Sequence, residues 1–366
     1  MSIAGLLPEI ATDLDVSAGT AGQLITAFAF TFAFGAPVMA VLLDPLPRRR
    51  VLLAGLVVFA AANLAAAFAP SFGVLLGLRI AAGLAAAAVS ATAFATAGQG
   101  APAGKQGGYL ATVTAGLTVA LFTGVPLGAW VGGLFGWRST FVLITIVATL
   151  AYATLAVALP RLPGNPGGTL GARLRPLRNP KVLRLVVAVF LSGSGGLMFY
   201  SYLAPILGHV HGDTTPLPAV LLLVGVVGVP STFLGGWLAD RVGGRPSRLA
   251  VTGGHALALA LVAMLVIIEV PLPVFLVGVA LWSVFAWALN PPLQASIIEA
   301  APDSAMAAVS LNISGLYLGA AVAGALGGLL VDTVGAMWIP PIAAALLVLA
   351  WLSAGFPHRA DASSRR

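Results

Sequence analysis

Long runs of hydrophobic residues alternate with short polar connections along almost the whole chain. A helix needs about 20 apolar residues to cross a bilayer, and such helices tolerate Gly and Pro inside them. Eleven runs reach this length, and each predicts a membrane-spanning helix. They occupy residues 20–43, 50–69, 72–97, 108–133, 138–159, 182–207, 216–239, 248–268, 272–296, 305–331 and 336–356.

The first residues, MSIAGLLPEIATDLDVS, depart from this pattern. Their apolar stretch is too short to cross a bilayer, because Glu9, Asp13 and Asp15 follow it at once. It also lacks the positively charged start of a signal peptide. The stretch is therefore interpreted as a short piece of apolar helix, distinct from the eleven full spans.

Composition supports lipid as the solvent of the fold. Of the 366 residues, 59% are hydrophobic and only 8% are charged, with a mean hydropathy of +1.03. Soluble domains carry about 25% charged residues. The absence of cysteine excludes disulfides, thiolate metal sites and a cysteine nucleophile. The sequence predicts an all-α, multi-pass membrane protein.

Basic residues fall almost entirely in one set of alternate connections. Sixteen of the 18 Lys and Arg lie there, and the exceptions are Arg79 and Arg138. The positive-inside rule makes that side cytoplasmic, in the plasma membrane, together with the C-terminus. Since this pattern explains the pI of about 10.5, no nucleic-acid partner is expected.

An internal repeat organises the spans. Asp44 and Asp240 end two spans in similar surroundings, 196 residues apart, and the same offset relates the segments before the last span of each half. The Pro-, Gly- and Arg-rich segment 160–181 divides the repeats as a linker. The predicted organisation is a first half at 1–159, this linker, a second half at 182–357 and a tail at 358–366.

The repeat also predicts that the first span is incomplete. The span before Asp240 starts near Val182, and the same distance before Asp44 lies ahead of Met1. A start codon placed too late, or a natural truncation, would explain this. The alternative is a true eleven-span protein whose N-terminus lies outside the cell.

Arg79 stands alone inside a span. A charge at such a depth costs about 3 kcal/mol or more, so it should face an aqueous cavity or a partner. It could hold an anionic or polar substrate, or set the protonation of a nearby acid. Alternatively, its guanidinium only hydrogen-bonds helix carbonyls.

The motif GVPLG at 124–128, in the span predicted at 108–133, predicts a bend. Pro126 removes a backbone donor, and Gly124 and Gly128 leave a flat face for a neighbouring helix. An ordinary kink without a functional role is equally consistent with this spacing.

Asp44 and Asp240 begin cytoplasmic loops rich in arginine. Contacts to helix N-termini or to nearby arginines would form when the cytoplasmic mouth is shut. The predicted gate consists of Asp44, Arg48, Asp240, Arg241 and Arg245. The alternative is that these charges serve only solvation and topology.

Scattered polar and aromatic residues inside spans suit a largely apolar cavity with a few polar contacts. Any one of them could equally bond harmlessly between helices. The candidates are Phe199, Tyr202, Trp282, Phe285, Asn290 and Asn312. No phosphate-binding loop, acid pair, metal cluster or nucleophile constellation occurs, so neither an enzyme, a metal site nor a cofactor is expected.

The chain resembles the drug/proton antiporter branch of the major facilitator superfamily, which includes sugar and drug efflux permeases. GGWLADRVGGRP is similar to the signature loop of the family, and DPLPRRR is a degraded copy in which Pro45 replaces an arginine. LLGLRIAAGLAAA, GVPLG, GWRSTF and LNISGLYLGAAVAGALGG also match this branch. The similarity covers the whole chain.

The resemblance implies a monomeric transporter in which two six-helix halves, related by a pseudo-twofold axis, rock about a central cavity. Arg79 would influence proton binding, the gate residues would latch the cytoplasmic side, and GVPLG would favour export. The usual acidic residue of span one is absent, which affects proton coupling. The expected function is proton-coupled export of drug-like or sugar-like molecules. The alternatives are a facilitator or importer, or a truncated protein without transport activity.

Overall fold

A computed structural model describes residues 4–102, 106–160, 162–164 and 169–355, and these fold as helices joined by short connections. The α-helices are α1 (Leu7–Asp13), α2 (Ala18–Leu42), α3 (Arg48–Ala67), α4 (Phe72–Gly100), α5 (Gln106–Phe135), α6 (Trp137–Ala158), α7 (Leu170–Leu174), α8 (Pro180–Ser201), α9 (Leu203–His211), α10 (Leu217–Val242), α11 (Gly244–Ile267), α12 (Leu272–Ala288), α13 (Asn290–Ala300), α14 (Ala305–Thr333) and α15 (Ile339–Gly355).

The predicted all-α membrane fold is confirmed. Ten spans long and apolar enough to cross a membrane occur among the residues described. The 30-residue helix α5 occupies the place of the remaining predicted span. The initial apolar stretch forms a short 3-10 turn and α1, with Leu7 and Ile10 buried against the bundle.

Two predicted spans are each built from two helices. The span predicted at 182–207 breaks at Tyr202, between α8 and α9. The span predicted at 272–296 breaks at Leu289, between α12 and α13. Pro291 and Pro292 follow this second break, and their missing backbone donors explain why α12 does not continue.

The helices pack as two related halves. In the first half α2 packs on α4, α3 on α4 and α3 on α6. In the second half α10 packs on α12, α11 on α12 and α11 on α15. The contacts between the halves are also paired, because α2 packs on α14 just as α10 packs on α5. This correspondence is the packing expected of a pseudo-twofold axis.

Two glycines repeat a backbone conformation that the rest of the chain rarely uses. Gly136 has φ 82° and Gly335 has φ 95°, and each stands just before the last helical segment of its half. Residues with side chains avoid this region, so glycine makes the same sharp entry in both halves.

The two ends of the bundle differ in charge. The basic face is defined here as the end carrying Asp44, Arg48, Arg173 and Asp240. The acidic face is the opposite end, carrying Glu9, Asp13, Arg138 and Asp332. Between them the outer surface exposes large apolar side chains, such as Phe233 at 76% and Leu257 at 74%. This apolar belt is the surface that contacts hydrocarbon.

Candidate functional site

On the basic face, Asp44 is buried and paired. Arg48 Nη2, from the first turn of α3, lies 2.6 Å from Asp44 Oδ1. Arg173, from α7, approaches Asp44 Oδ2 at 3.6 Å and donates to the Ala40 carbonyl at 3.0 Å. The carboxylate therefore ties the α2–α3 loop to α7.

The other predicted gate residues do not join this cluster. Asp240, Arg241 and Arg245 are exposed, and none pairs with Asp44 in the described part of the chain. The Arg241 guanidinium instead lies 5.2 Å from the centre of the Trp237 ring. A latch across the basic face is therefore not formed in this conformation. It stays a prediction for a state in which that face is shut.

The acidic face carries a contact between the halves. Asp332, near the end of α14, accepts hydrogen bonds from Ser17 Oγ at 2.7 Å and from the Gly19 amide at 3.1 Å. The first amides of a helix lack partners within that helix, and its dipole favours an anion there. We call Ser17, Gly19 and Asp332 the acidic-face latch. It closes the N-terminus of α2 onto α14.

Small residues let α2 and α14 touch below this latch. A Cβ atom on Gly328 would lie 2.7 Å from the Gly19 carbonyl oxygen. The Thr26 hydroxyl donates to the Ala321 carbonyl at 3.1 Å. The Tyr202 hydroxyl donates to the Gly324 carbonyl at 2.7 Å. Because these glycines have no side chain, the two backbones can approach closely, as is typical of helix association in lipid.

Asp332→Ala is expected to loosen this closure. The substitution removes both hydrogen bonds at the α2 N-terminus, which are worth about 1 kcal/mol. Because the chain has no cysteine, a single reporter can be introduced as Ala321→Cys, at a position that is 2% exposed. Its rate of labelling by a maleimide should rise about fivefold in the Asp332→Ala variant.

Asp13→Ala is the matched control for this measurement. Asp13 also lies on the acidic face, but it binds Arg138 and the indole of Trp137 within the first half. The hydrogen bond from Arg138 and, to a smaller extent, that from Trp137 hold the pKa of Asp13 below its usual range. Equal labelling of the Asp332→Ala and Asp13→Ala variants would show that the latch does not hold the halves together.

Arg79 lies inside the first half. It is 3% exposed, and its Nε donates a long 3.5 Å hydrogen bond to the Leu24 carbonyl. Its Cζ stands 4.3 Å from the centre of the Phe28 ring and 6.0 Å from that of Phe141. No carboxylate of the described residues pairs with it. The charge is thus surrounded by protein from α2 and α6, with cation–π contacts.

The predicted cavity residues separate into three places. Phe199 and Trp282 pack edge to face at 4.8 Å in the second half, beside Phe285 on the same helix as Trp282. Asn312 Nδ2 donates to Asn290 Oδ1 at 3.2 Å, between α14 and α13. Tyr202 belongs to the acidic-face interface and not to this cluster.

His255 is a residue that the sequence analysis did not single out. It is 2% exposed on α11, and neither of its ring nitrogens has a hydrogen-bond partner among the described residues. Its ring lies 6.2 Å from that of Trp282, whose Nε1 is also buried without a partner. The sequence feature that could have identified His255 is an ionisable imidazole inside an apolar span. Asp332 was missed because its partners lie more than 300 residues away.

The bend predicted at GVPLG falls within α5 and stays a prediction. The helix continues unbroken from Gln106 to Phe135. A Cβ atom on Gly124 would meet nothing within 4 Å, so no neighbouring helix of the described residues packs closely on Gly124. The Gly128 carbonyl accepts from the Thr140 hydroxyl at 2.8 Å. The side chain of Pro126 lies outside the described ones.

Two pseudo-symmetric helical halves, closed against each other at one face and wrapped by an apolar belt, define a multi-pass membrane transporter. The sequence profile of the Major Facilitator Superfamily matches residues 1–310. The chain belongs to this family.

Relatives and a solved structure agree with this. The chain is 30% identical to the Inner membrane transport protein YdhP of Escherichia coli K12, covering 95% of this chain and 89% of that protein. It is 32% identical to the Chloramphenicol resistance protein of Streptomyces lividans, with 98% and 91% covered. It is 29% identical to the Purine ribonucleoside efflux pump NepI of Salmonella paratyphi C, with 94% and 86% covered.

The fold is also similar to a crystal structure of a bacterial homologue of the human lysosomal transporter Spinster. The TM-score is 0.70 at 16% identity, over 96% of this chain and 92% of that chain. The major facilitator fold predicted from the motifs is thereby confirmed.

Proposed function

We propose that this protein exports small molecules by proton antiport, with alternating access between its two halves. The observation that carries the proposal is the asymmetry of the interface between the halves. The acidic face is held by the latch of Ser17, Gly19 and Asp332, while on the basic face Asp44 makes no ion pair with Arg241 or Arg245 among the described residues. Opening one face and closing the other would move a bound molecule across the membrane.

In the proposed orientation the basic face is cytoplasmic, following the positive-inside rule. The linker at 160–181 would then connect the halves 1–159 and 182–357 on the cytoplasmic side. The conformation described would be closed to the outside. A substrate would enter between the halves from the cytoplasm, and pairing of Asp44 with Arg241 and Arg245 in the predicted gate would accompany release outside.

The substrate class we propose is an aromatic or sugar-bearing molecule without a strong charge. Phe199, Trp282 and Phe285 supply apolar ring surfaces. His255 Nδ1 and Nε2 and Trp282 Nε1 are buried polar atoms that lack partners, and a ligand could satisfy them. The names of two relatives, a chloramphenicol resistance protein and a purine ribonucleoside efflux pump, support this choice.

Proton coupling is assigned to the ionisable side chains enclosed in the bundle. Tyrosines apart, those deep within the described spanning helices are Arg79 in the first half and His255 in the second. The imidazole of His255 is proposed to take up and release the proton. The fixed positive charge of Arg79, enclosed in the other half, is proposed to influence the proton-binding step.

Transport in inside-out membrane vesicles tests the proposal. A pH gradient, acidic inside, is imposed on the vesicles, and radiolabelled chloramphenicol or purine ribonucleosides are added outside. The label that accumulates inside the vesicles is then measured. Uptake should exceed that of vesicles without the protein and should collapse when a protonophore is added. Uptake that ignores the gradient would indicate a facilitator. No uptake, with the protein correctly inserted, would contradict transport of these substrate classes.

A further inference from the structure

A groove of about 540 Å³ opens on the side of the first half, away from the interface between the halves. Its volume is within the range of about 300–1,000 Å³ typical of small-molecule sites. Helices α2, α3 and α4 and the α2–α3 loop form its walls. The lining residues are Met39, Leu43, Leu46, Pro47, Arg50, Val51, Ala54, Gly55, Val58, Ala81, Leu84, Ala85 and Ala88.

The groove is apolar apart from one charge. Small side chains on α3 and α4 form its floor, and the larger side chains at its edges face outward, with Val58 exposed by 52% and Leu84 by 39%. From Arg50 to Val58 the α3 wall runs about 12 Å from the basic face toward the middle of the bundle. The groove therefore opens onto the hydrocarbon belt and not onto the interface between the halves.

Arg50 is the charge at the mouth of the groove. It is the last of three consecutive arginines, and the first two are engaged inside the protein. Arg48 pairs with Asp44, and Arg49 donates to the Ala156 carbonyl. Arg50 is exposed and has neither an ion pair nor a hydrogen bond within the described part of the chain. A free guanidinium thus stands at the membrane-interface end of an apolar groove.

We propose that this groove binds one anionic phospholipid of the leaflet at the basic face. An acyl chain would lie along α3 and α4 over Ala54 and Ala85, and the phosphate would bind the Arg50 guanidinium. Basic sites between membrane helices bind lipid head groups in this way, and guanidinium matches phosphate geometry. The single cation at one end and the apolar length behind it match the two parts of a lipid.

Binding here would act on the gate loop. Arg50 lies two residues after Arg48, which holds Asp44, and the groove also includes Leu43 and Leu46 on either side of that aspartate. A lipid would therefore brace the α2–α3 loop and α4 together. This inference depends on the lipid-facing position of the groove and not on what the protein transports.

Native mass spectrometry of the purified protein in micelles tests the proposal. With equal amounts of phosphatidylglycerol and phosphatidylcholine, the protein should retain one phosphatidylglycerol. Arg50→Ala should reduce the preference for phosphatidylglycerol about fivefold, the effect expected of one basic residue near a lipid surface. Ala54→Phe should fill the groove and remove the bound lipid whichever head group is offered.

Two matched control variants distinguish loss of this site from the general effects of removing an arginine or of adding a ring to α3. Arg178→Ala removes an exposed arginine in the linker, and Val57→Phe adds the same ring on a neighbouring, lipid-exposed position of α3. Both should keep the bound lipid and its selectivity, and thermal melting should show that all four variants are folded. Equal retention of the two lipids by the unmodified protein, or unchanged selectivity in Arg50→Ala, would overturn the proposal. Displacement of the lipid by a transported substrate would make the groove a substrate site instead.

Discussion

Arg79→Ala is expected to abolish transport while leaving the protein inserted in the membrane. The side chain is surrounded by protein, and among the described residues of the first half it is the only positive charge that lies away from both ends of its helix. Its removal takes away the fixed charge proposed to influence proton binding. Arg79→Met, which keeps much of the volume without the charge, should lower gradient-driven uptake at least about tenfold, a factor worth about 1.4 kcal/mol.

Arg79→Lys and Arg138→Ala make this test selective. Lysine keeps the charge but loses the guanidinium plane that stacks on Phe28, so partial activity is expected. Arg138 is a partly exposed arginine of the same half, paired with Asp13, and its loss should leave uptake nearly unchanged. Full activity of Arg79→Met would remove Arg79 from the mechanism, and its bond to the Leu24 carbonyl would then be only structural.

Gly328→Ala is expected to force the halves apart at the acidic face. The added Cβ would lie 2.7 Å from the Gly19 carbonyl oxygen and 3.0 Å from the Gly19 Cα atom. These are backbone atoms, so the contact is relieved only if α2 and α14 separate. Overpacking of this kind costs about 1–3 kcal/mol. Labelling of the Ala321→Cys reporter should therefore rise about tenfold or more, and transport should fall.

Gly236→Ala is the matched control, because a Cβ atom on Gly236 in α10 would meet nothing within 4 Å. Alanine favours helices over glycine by about 1 kcal/mol, so both substitutions gain the same intrinsic helix stability. A difference in labelling between them then reports the α2–α14 contact alone. If Gly328→Ala labels no faster than Gly236→Ala, the close contact is not what keeps the acidic face shut.

The residues that the sequence grouped into sites and the residues that are in contact in the structure agree only in part. Asp44 and Arg48 were predicted as partners and lie 2.6 Å apart, since they are four residues apart along the chain. Phe199 and Trp282 were predicted to line one cavity; the structure shows that their rings pack against each other across two helices, and the cavity stays a prediction. Tyr202 was grouped with them, but the break after Ser201 turns it toward α14. Composition cannot show such a break.

His255 and Asp332 make contacts that the sequence did not indicate. Each stands in the printed sequence as an ordinary polar residue, one inside a span and one at the end of another. Their roles depend on neighbours contributed by other helices: Trp282 beside His255, and Ser17 and Gly19 beside Asp332. No local pattern encodes contacts between segments hundreds of residues apart.

By itself, the sequence determined the solvent, the spans and the repeat. Hydrophobic length and the alternation of basic loops follow directly from the cost of placing polar groups in hydrocarbon, so they can be read along the chain. The tertiary structure decided which face is closed, where Arg79 points and which glycines admit a neighbouring backbone. Those features depend on distances of a few ångströms between helices. The hydrocarbon constrains the length of every span alike, and only packing between particular side chains sets such distances.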